Sequence, residues 1–116
     1  MKYVYFLICV LFLQSHLYSQ VDPCDEISIP NIFTPNKDGF NDFFIISCIY
    51  LYPENKFTIY DRWGQQVYYA TGYDNNWSGT WEKTGGDLPD GSYVYLLNYN
   101  KNNEEITLRG TITIKR

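Results

Sequence analysis

The sequence predicts an all-β domain, an immunoglobulin-like antiparallel β-sandwich of about seven short strands. Three observations predict it. Apolar and polar residues alternate one by one in several stretches, and no long stretch has helical period. Clusters of Gly, Pro, Asn and Asp separate those stretches at short intervals, as turns require. Aromatic and β-branched residues fill the runs between the turns, as pleated surfaces favour.

The first strand candidates, residues 29–34 and 43–48, are short and flank the turn Pro35-Asn36-Lys37-Asp38-Gly39. Residues 56–62 are rich in Phe, Ile, Tyr and Thr. Trp63-Gly64-Gln65 turns them into 66–71, which makes a hairpin. Residues 77–81 offer one more short strand between the turn clusters at 72–76 and 85–91. Residues 92–99 are apolar on nearly both sides, the mark of a central strand. Residues 106–115 alternate most cleanly: Ile106, Leu108, Gly110, Ile112 and Ile114 share one phase, with Thr, Arg and Lys in the other. Gly110 in mid-strand implies a bulge or a close backbone approach. The polar stretch 100–104 links these last two strands as a second hairpin.

The N-terminus reads differently. Met1-Lys2 is a positive start, residues 3–13 are an unbroken apolar run, and residues 14–20 turn polar and small. That is the order of a secretory signal peptide. Eleven apolar residues fall short of the roughly 20 that a spanning helix needs, which disfavours a membrane anchor. The expected organisation is a signal peptide over 1–19, a short leader or linker over 20–28, and one domain over 29–116. Neither Cys9 nor Cys24 follows the small residues of a lipoprotein signal, so no lipid anchor is expected. The product is expected to be exported, by way of the periplasm, to the cell surface or beyond.

Loss of Lys2 takes the net charge from −4 to −5. Such a chain lacks the basic face that nucleic acid demands and has no electrostatic attraction to anionic lipid. Cys24 and Cys48 form an even pair in an exported chain, and a bridge between them is expected; two separate thiols are the alternative. The only histidine, His16, lies in the expected signal peptide. Ser-His and Cys-His catalysis and the usual zinc sites are thereby removed. Paired carboxylates such as Glu104-Glu105 read as a solvated tip, and so small a sandwich leaves little room for a glycosidase cleft. The expectation is no enzyme and no resident cofactor.

Two groups of residues invite a ligand. Asn36, Asp38, Asn41 and Asp42 crowd oxygen ligands around Gly39, as a calcium loop does, but no bidentate Glu follows. A turn held by Asx hydrogen bonds is the favoured alternative. Tyr73, Asn75, Trp77 and Trp81 set aromatic faces beside an amide, as glycan-binding sites do. Core packing is the favoured alternative in a chain so rich in aromatics.

Five strings occur in a telling order: Ile29-Pro30-Asn31-Ile32-Phe33-Thr34-Pro35-Asn36-Lys37-Asp38-Gly39-Phe40-Asn41-Asp42; Thr58-Ile59-Tyr60-Asp61-Arg62-Trp63-Gly64-Gln65-Gln66-Val67-Tyr68; Trp77-Ser78-Gly79-Thr80; Leu88-Pro89-Asp90-Gly91-Ser92-Tyr93-Val94-Tyr95; and the closing strand from Leu108 to Arg116. Over residues 29–116 they resemble the gliding motility-associated C-terminal domain family, the type B sorting signals of the type IX secretion system in Bacteroidota. Lys37 and Phe40 depart from the small or polar residues usual in that opening loop. The resemblance implies a sorting module that directs export across the outer membrane. Its partners would be the translocon and an accessory outer-membrane protein. Such domains usually end a large surface protein; here the expectation is a module without its passenger. Recognition is expected on the closing strand, at Leu108, Arg109, Gly110, Thr111, Ile112, Thr113, Ile114, Lys115 and Arg116. A small secreted carbohydrate- or adhesin-type binding protein is the alternative.

Overall fold

The structure is a computed structural model, described here for residues 24–116. The expected signal peptide and the start of the leader, residues 1–23, lie outside the described residues. Five strands form one sheet: β1 Ile32–Phe33, β2 Lys56–Tyr60, β3 Gln66–Thr71, β4 Gly91–Lys101 and β5 Glu104–Ile114. Their order across the sheet is β1-β5-β4-β2-β3. Among the described residues one 3₁₀ turn, Ile49–Leu51, interrupts an otherwise all-β arrangement.

The longest strands are those with the cleanest alternation. β4 and β5 pair antiparallel along their whole length, with Tyr93 opposite Ile112 and Leu97 opposite Leu108. Their in-phase residues, Tyr93, Leu97, Ile112 and Ile114, are buried, while Thr107, Arg109 and Thr111 are exposed. The connection is tighter than the five polar residues suggest. Asn102 and Asn103 alone form the turn, at φ 52° and 64°, and asparagine tolerates that conformation well.

The sheet is mixed, not wholly antiparallel, because β1 runs parallel to β5. The segment that ends in β1 travels in the direction of β5 and meets it from outside any hairpin. Thr113 and Lys115 donate to the carbonyls of Asn31 and Phe33 there, at 2.8 and 3.2 Å.

A second layer of extended but mostly unpaired chain covers one face of the sheet. Residues 43–48 and 77–81, expected as strands, reduce to single bridges: Ser47 with Ser28, and Thr80 with Asp87. Side chains take the place of a partner strand. The Asn75 amide accepts from Ile46 N at 2.8 Å and donates back to Ile46 O at 3.4 Å. The Tyr73 hydroxyl donates to Phe44 O and accepts from Trp77 N. Phe44 N donates to Trp77 O at 2.9 Å. Buried backbone groups are thus satisfied without ladders.

Between the layers lies one aromatic core. Phe44 stacks on Phe57 of β2 at 5.7 Å and meets Trp77 edge-on; Phe57 packs on Tyr73 at 4.6 Å. Phe33, Ile46, Ile59, Leu88, Leu97 and Ile112 complete it, all essentially without solvent contact. Cys24 and Cys48 are joined in a disulfide with Cα atoms 5.5 Å apart, which ties the leader to the second layer. At the same end Asn55 is buried, holding Tyr73 N through its Oδ1 at 3.0 Å and Tyr52 O through its Nδ2 at 2.9 Å.

Candidate functional site

Strand directions decide where the sequence motifs meet. The ends of β1, β2 and β5 and the starts of β3 and β4 lie at one pole of the sheet. The loops carrying all five strings therefore converge there, although they are spread over more than eighty positions. The opposite pole carries the β4–β5 turn, the 3₁₀ turn and the disulfide.

Asp42 organises the first loop. Its Oδ1 accepts from the backbone N–H of Asn36 at 3.1 Å and Lys37 at 3.0 Å, and its Oδ2 from Gly39 at 2.8 Å. Asn36 Oδ1 accepts from Asp38 N, and Asp38 Oδ1 from Phe40 N. Three of the four side chains expected as calcium ligands, Asn36, Asp38 and Asp42, are thus turned onto the loop's own amides, as Asx turns require; Asn41 sits at φ 54° and accepts from Thr34 N through its backbone carbonyl at 3.0 Å. Among the described residues no cluster of three His, Cys, Asp or Glu suits a metal. Phe40, at the tip, is exposed.

The hairpin tip between β2 and β3 is closed in the same way. Asp61 Oδ1 accepts from Trp63 N and Gln65 N, both at 2.9 Å. Trp63 is left 81% exposed, with the Arg62 guanidinium 5.1 Å above its ring. So large an apolar surface kept in water, with a cation over its face, is suited to contact with a partner.

Arg116 binds the remaining motifs together. Its Nη1 donates to Leu88 O and, at 3.2 Å, to Asp90 Oδ1; its Nη2 donates to Gly79 O at 3.1 Å. Its backbone N–H donates to Asp90 Oδ2, and Asp87 lies 3.8 Å from Nη2. The planar fork serves two loops and a carboxylate at once, which a lysine ammonium does less well. Gly79 makes room for it. At φ 75° its Cβ would stand 3.1 Å from Pro35 and 3.2 Å from the guanidinium. Tyr93 seals the base: its hydroxyl donates to Pro89 O at 2.6 Å, and burial raises its pKa while Arg116 lowers it.

Two clefts flank the 87–91 turn. One of about 560 Å³ is lined by Pro35, Lys37, Asp42, Phe43, Thr80 and Asp87. The other, about 210 Å³, lies between the Arg62-Trp63 tip, Trp81 and Pro89.

The expected recognition strand divides into two faces. Ile112 and Ile114 are buried, and Leu108 and Gly110 face the same way; Arg109, Thr111 and Lys115 are exposed. The glycan group does not gather on a surface. Tyr73 and Trp77 are 3% and 1% exposed, and Trp77 Nε1 donates to Thr80 O at 2.9 Å. Asn75 is engaged with Ile46, and Trp81 lines the smaller cleft. Sequence reasoning missed the roles of Arg116, Asn55 and Tyr73 as backbone clamps. It also missed the convergence of the motif loops, which strand order alone discloses.

No helix among the described residues is long and apolar enough to cross a membrane. A family model described as the CHU_C type IX secretion signal domain matches residues 27–114. No curated protein and no solved structure matches the chain.

Proposed function

The chain belongs to the type IX secretion signal domain family, and from that membership we propose that it is a non-enzymatic sorting module that directs export across the outer membrane. The observation that carries the reading is the family match over residues 27–114, which takes in the whole sheet and every motif loop. Export ends at the cell surface or outside the cell. The partners in this reading are the type IX translocon and an accessory outer-membrane protein, which meet a folded surface.

On β5 the residues offered to such a partner are Arg109, Thr111 and Lys115. Leu108, Gly110, Ile112 and Ile114 act by holding the strand in place. A deletion of residues 110–116 would strip Ile112 and Ile114 from the core and remove the Arg116 clamp. It would test folding and not recognition, so exposed-residue variants are the better probes.

The decisive experiment fuses residues 20–116 behind a signal peptide and a fluorescent reporter. Reporter outside the cell is expected in a host with an intact type IX system, and reporter held in the periplasm in a host lacking it. Retention in both hosts would overturn the reading.

A further inference from the structure

The sheet ends unevenly. β1 covers β5 only at Thr113 and Ile114, so among the described residues nothing pairs with the outer side of 105–111. The direction of the backbone groups on that edge follows from the observed bonds. Thr113 and Lys115 point their N–H groups away from β4, towards β1. The β4–β5 register has no shift, and successive residues of a strand point to opposite sides. Glu105, Thr107, Arg109 and Thr111 therefore present N–H and C=O outward. All four are exposed, and no backbone bond among the described residues reaches their outer side.

An open edge is a template for another strand, and the side chains select which strand. Glu105 and Arg109 stand on the same face, four residues apart. That is about 13 Å along a strand, too far for the two to pair with each other. Neither makes an ion pair among the described residues. In an antiparallel edge-to-edge pairing of two identical strands, residue numbers of facing positions have a constant sum. Centring the two-fold on Thr107 sets Glu105 of one copy against Arg109 of the other, twice by symmetry. Centring it on Leu108 sets Glu105 against Thr111, and centring it on Arg109 sets like charges together. Only the Thr107 register satisfies both charges.

We propose that the chain forms a symmetric dimer by antiparallel pairing of the β5 edges about Thr107, with reciprocal Glu105–Arg109 pairs across the interface. The three facing positions 105, 107 and 109 exchange backbone hydrogen bonds in both directions. On the core-side face the same register brings half-buried Ile106 against half-buried Leu108 of the partner. The edge is covered in the dimer and offered in the monomer, so dimerisation and recognition by an export partner compete for it.

The whole chain, expressed with its own leader in an exporting host, is followed by analytical ultracentrifugation over a range of concentrations. Arg109→Glu is expected to weaken the dimer at least tenfold, and Glu105→Arg added to it to restore the dimer. Both side chains are exposed, so neither change disturbs the core. Thr107→Cys is expected to cross-link into a reducible dimer, since facing Cα atoms in this type of pair stand about 5.5 Å apart. Arg109→Cys, whose copies stand about 13 Å apart in this register, is expected not to. A chain that stays monomeric up to about 1 mM would overturn the proposal. So would a dimer indifferent to Arg109→Glu, or equal cross-linking by the two cysteine variants.

Discussion

Two residues show how little of a local role is visible in residue type. Gly110 has an ordinary strand conformation and is a glycine for reasons of space. A Cβ there would stand 2.5 to 2.8 Å from the ring and hydroxyl of Tyr95, its partner in register. The aromatic ring lies across the glycine and fills the place of the missing side chain. Gly110→Ala must displace that ring, so it is expected to destabilise by about 1–3 kcal/mol in urea unfolding. Arg116 is the second. Its guanidinium holds Leu88 O, Gly79 O and Asp90 while only 21% of its side chain is exposed. Arg116→Ala is expected to cost about 1–3 kcal/mol, and Arg116→Lys to recover less than half of it. Thermal unfolding of the two variants side by side measures the difference.

At the scale of elements, the β4–β5 hairpin was legible because both period and turn chemistry agreed. Its two central asparagines adopt positive φ at small cost, and a β-branched residue does not. Asn103→Val is therefore expected to destabilise by about 1–2 kcal/mol, and Asn103→Gly to be neutral or slightly stabilising, by denaturant midpoint. The second layer was less legible. Phe44 and Ile46 are buried while Phe43 and Ile45 are half exposed, so the alternation at 43–46 is real. What alternation does not reveal is the bonding partner. Asn75 and Tyr73 supply it from about thirty residues away, and the chain there is extended without being a ladder.

At the scale of the whole molecule, stability rests on an aromatic core with tyrosines at its margin. Burial raises the pKa of Tyr68, Tyr73, Tyr93, Tyr95 and Tyr99 above the usual value of 10.0. Below that pH, folded and unfolded chains both keep these protons and the contribution is intact. Above it the unfolded chain releases protons that the folded chain retains. Stability should therefore fall as the pH climbs from about 10 towards the raised folded values. Denaturant midpoints are expected to hold level between pH 7 and 9 and to drop above 10. A midpoint that holds level through pH 11 would contradict the buried placement of Tyr73. The same scale gives the motif pole its meaning. Trp63, Phe40, the Arg116 clamp and two clefts share one end of the molecule.

The sequence by itself determined the all-β class, the strands with clean alternation and the even cysteine pair. Those follow from side-chain period, turn chemistry and composition, which are local. It also carried the family, because five strings keep their order along the chain. Only the tertiary structure decided that β1 joins the sheet parallel to β5, since nothing local distinguishes one neighbour from another. Only the tertiary structure turned Tyr73 and Trp77 inward, because an aromatic beside an asparagine reads alike on a surface and in a core. It alone gathered the loops at one pole and, among the described residues, left the outer side of β5 open at 105–111. Both are consequences of strand order, and strand order is fixed by which apolar faces close over one another across the whole chain.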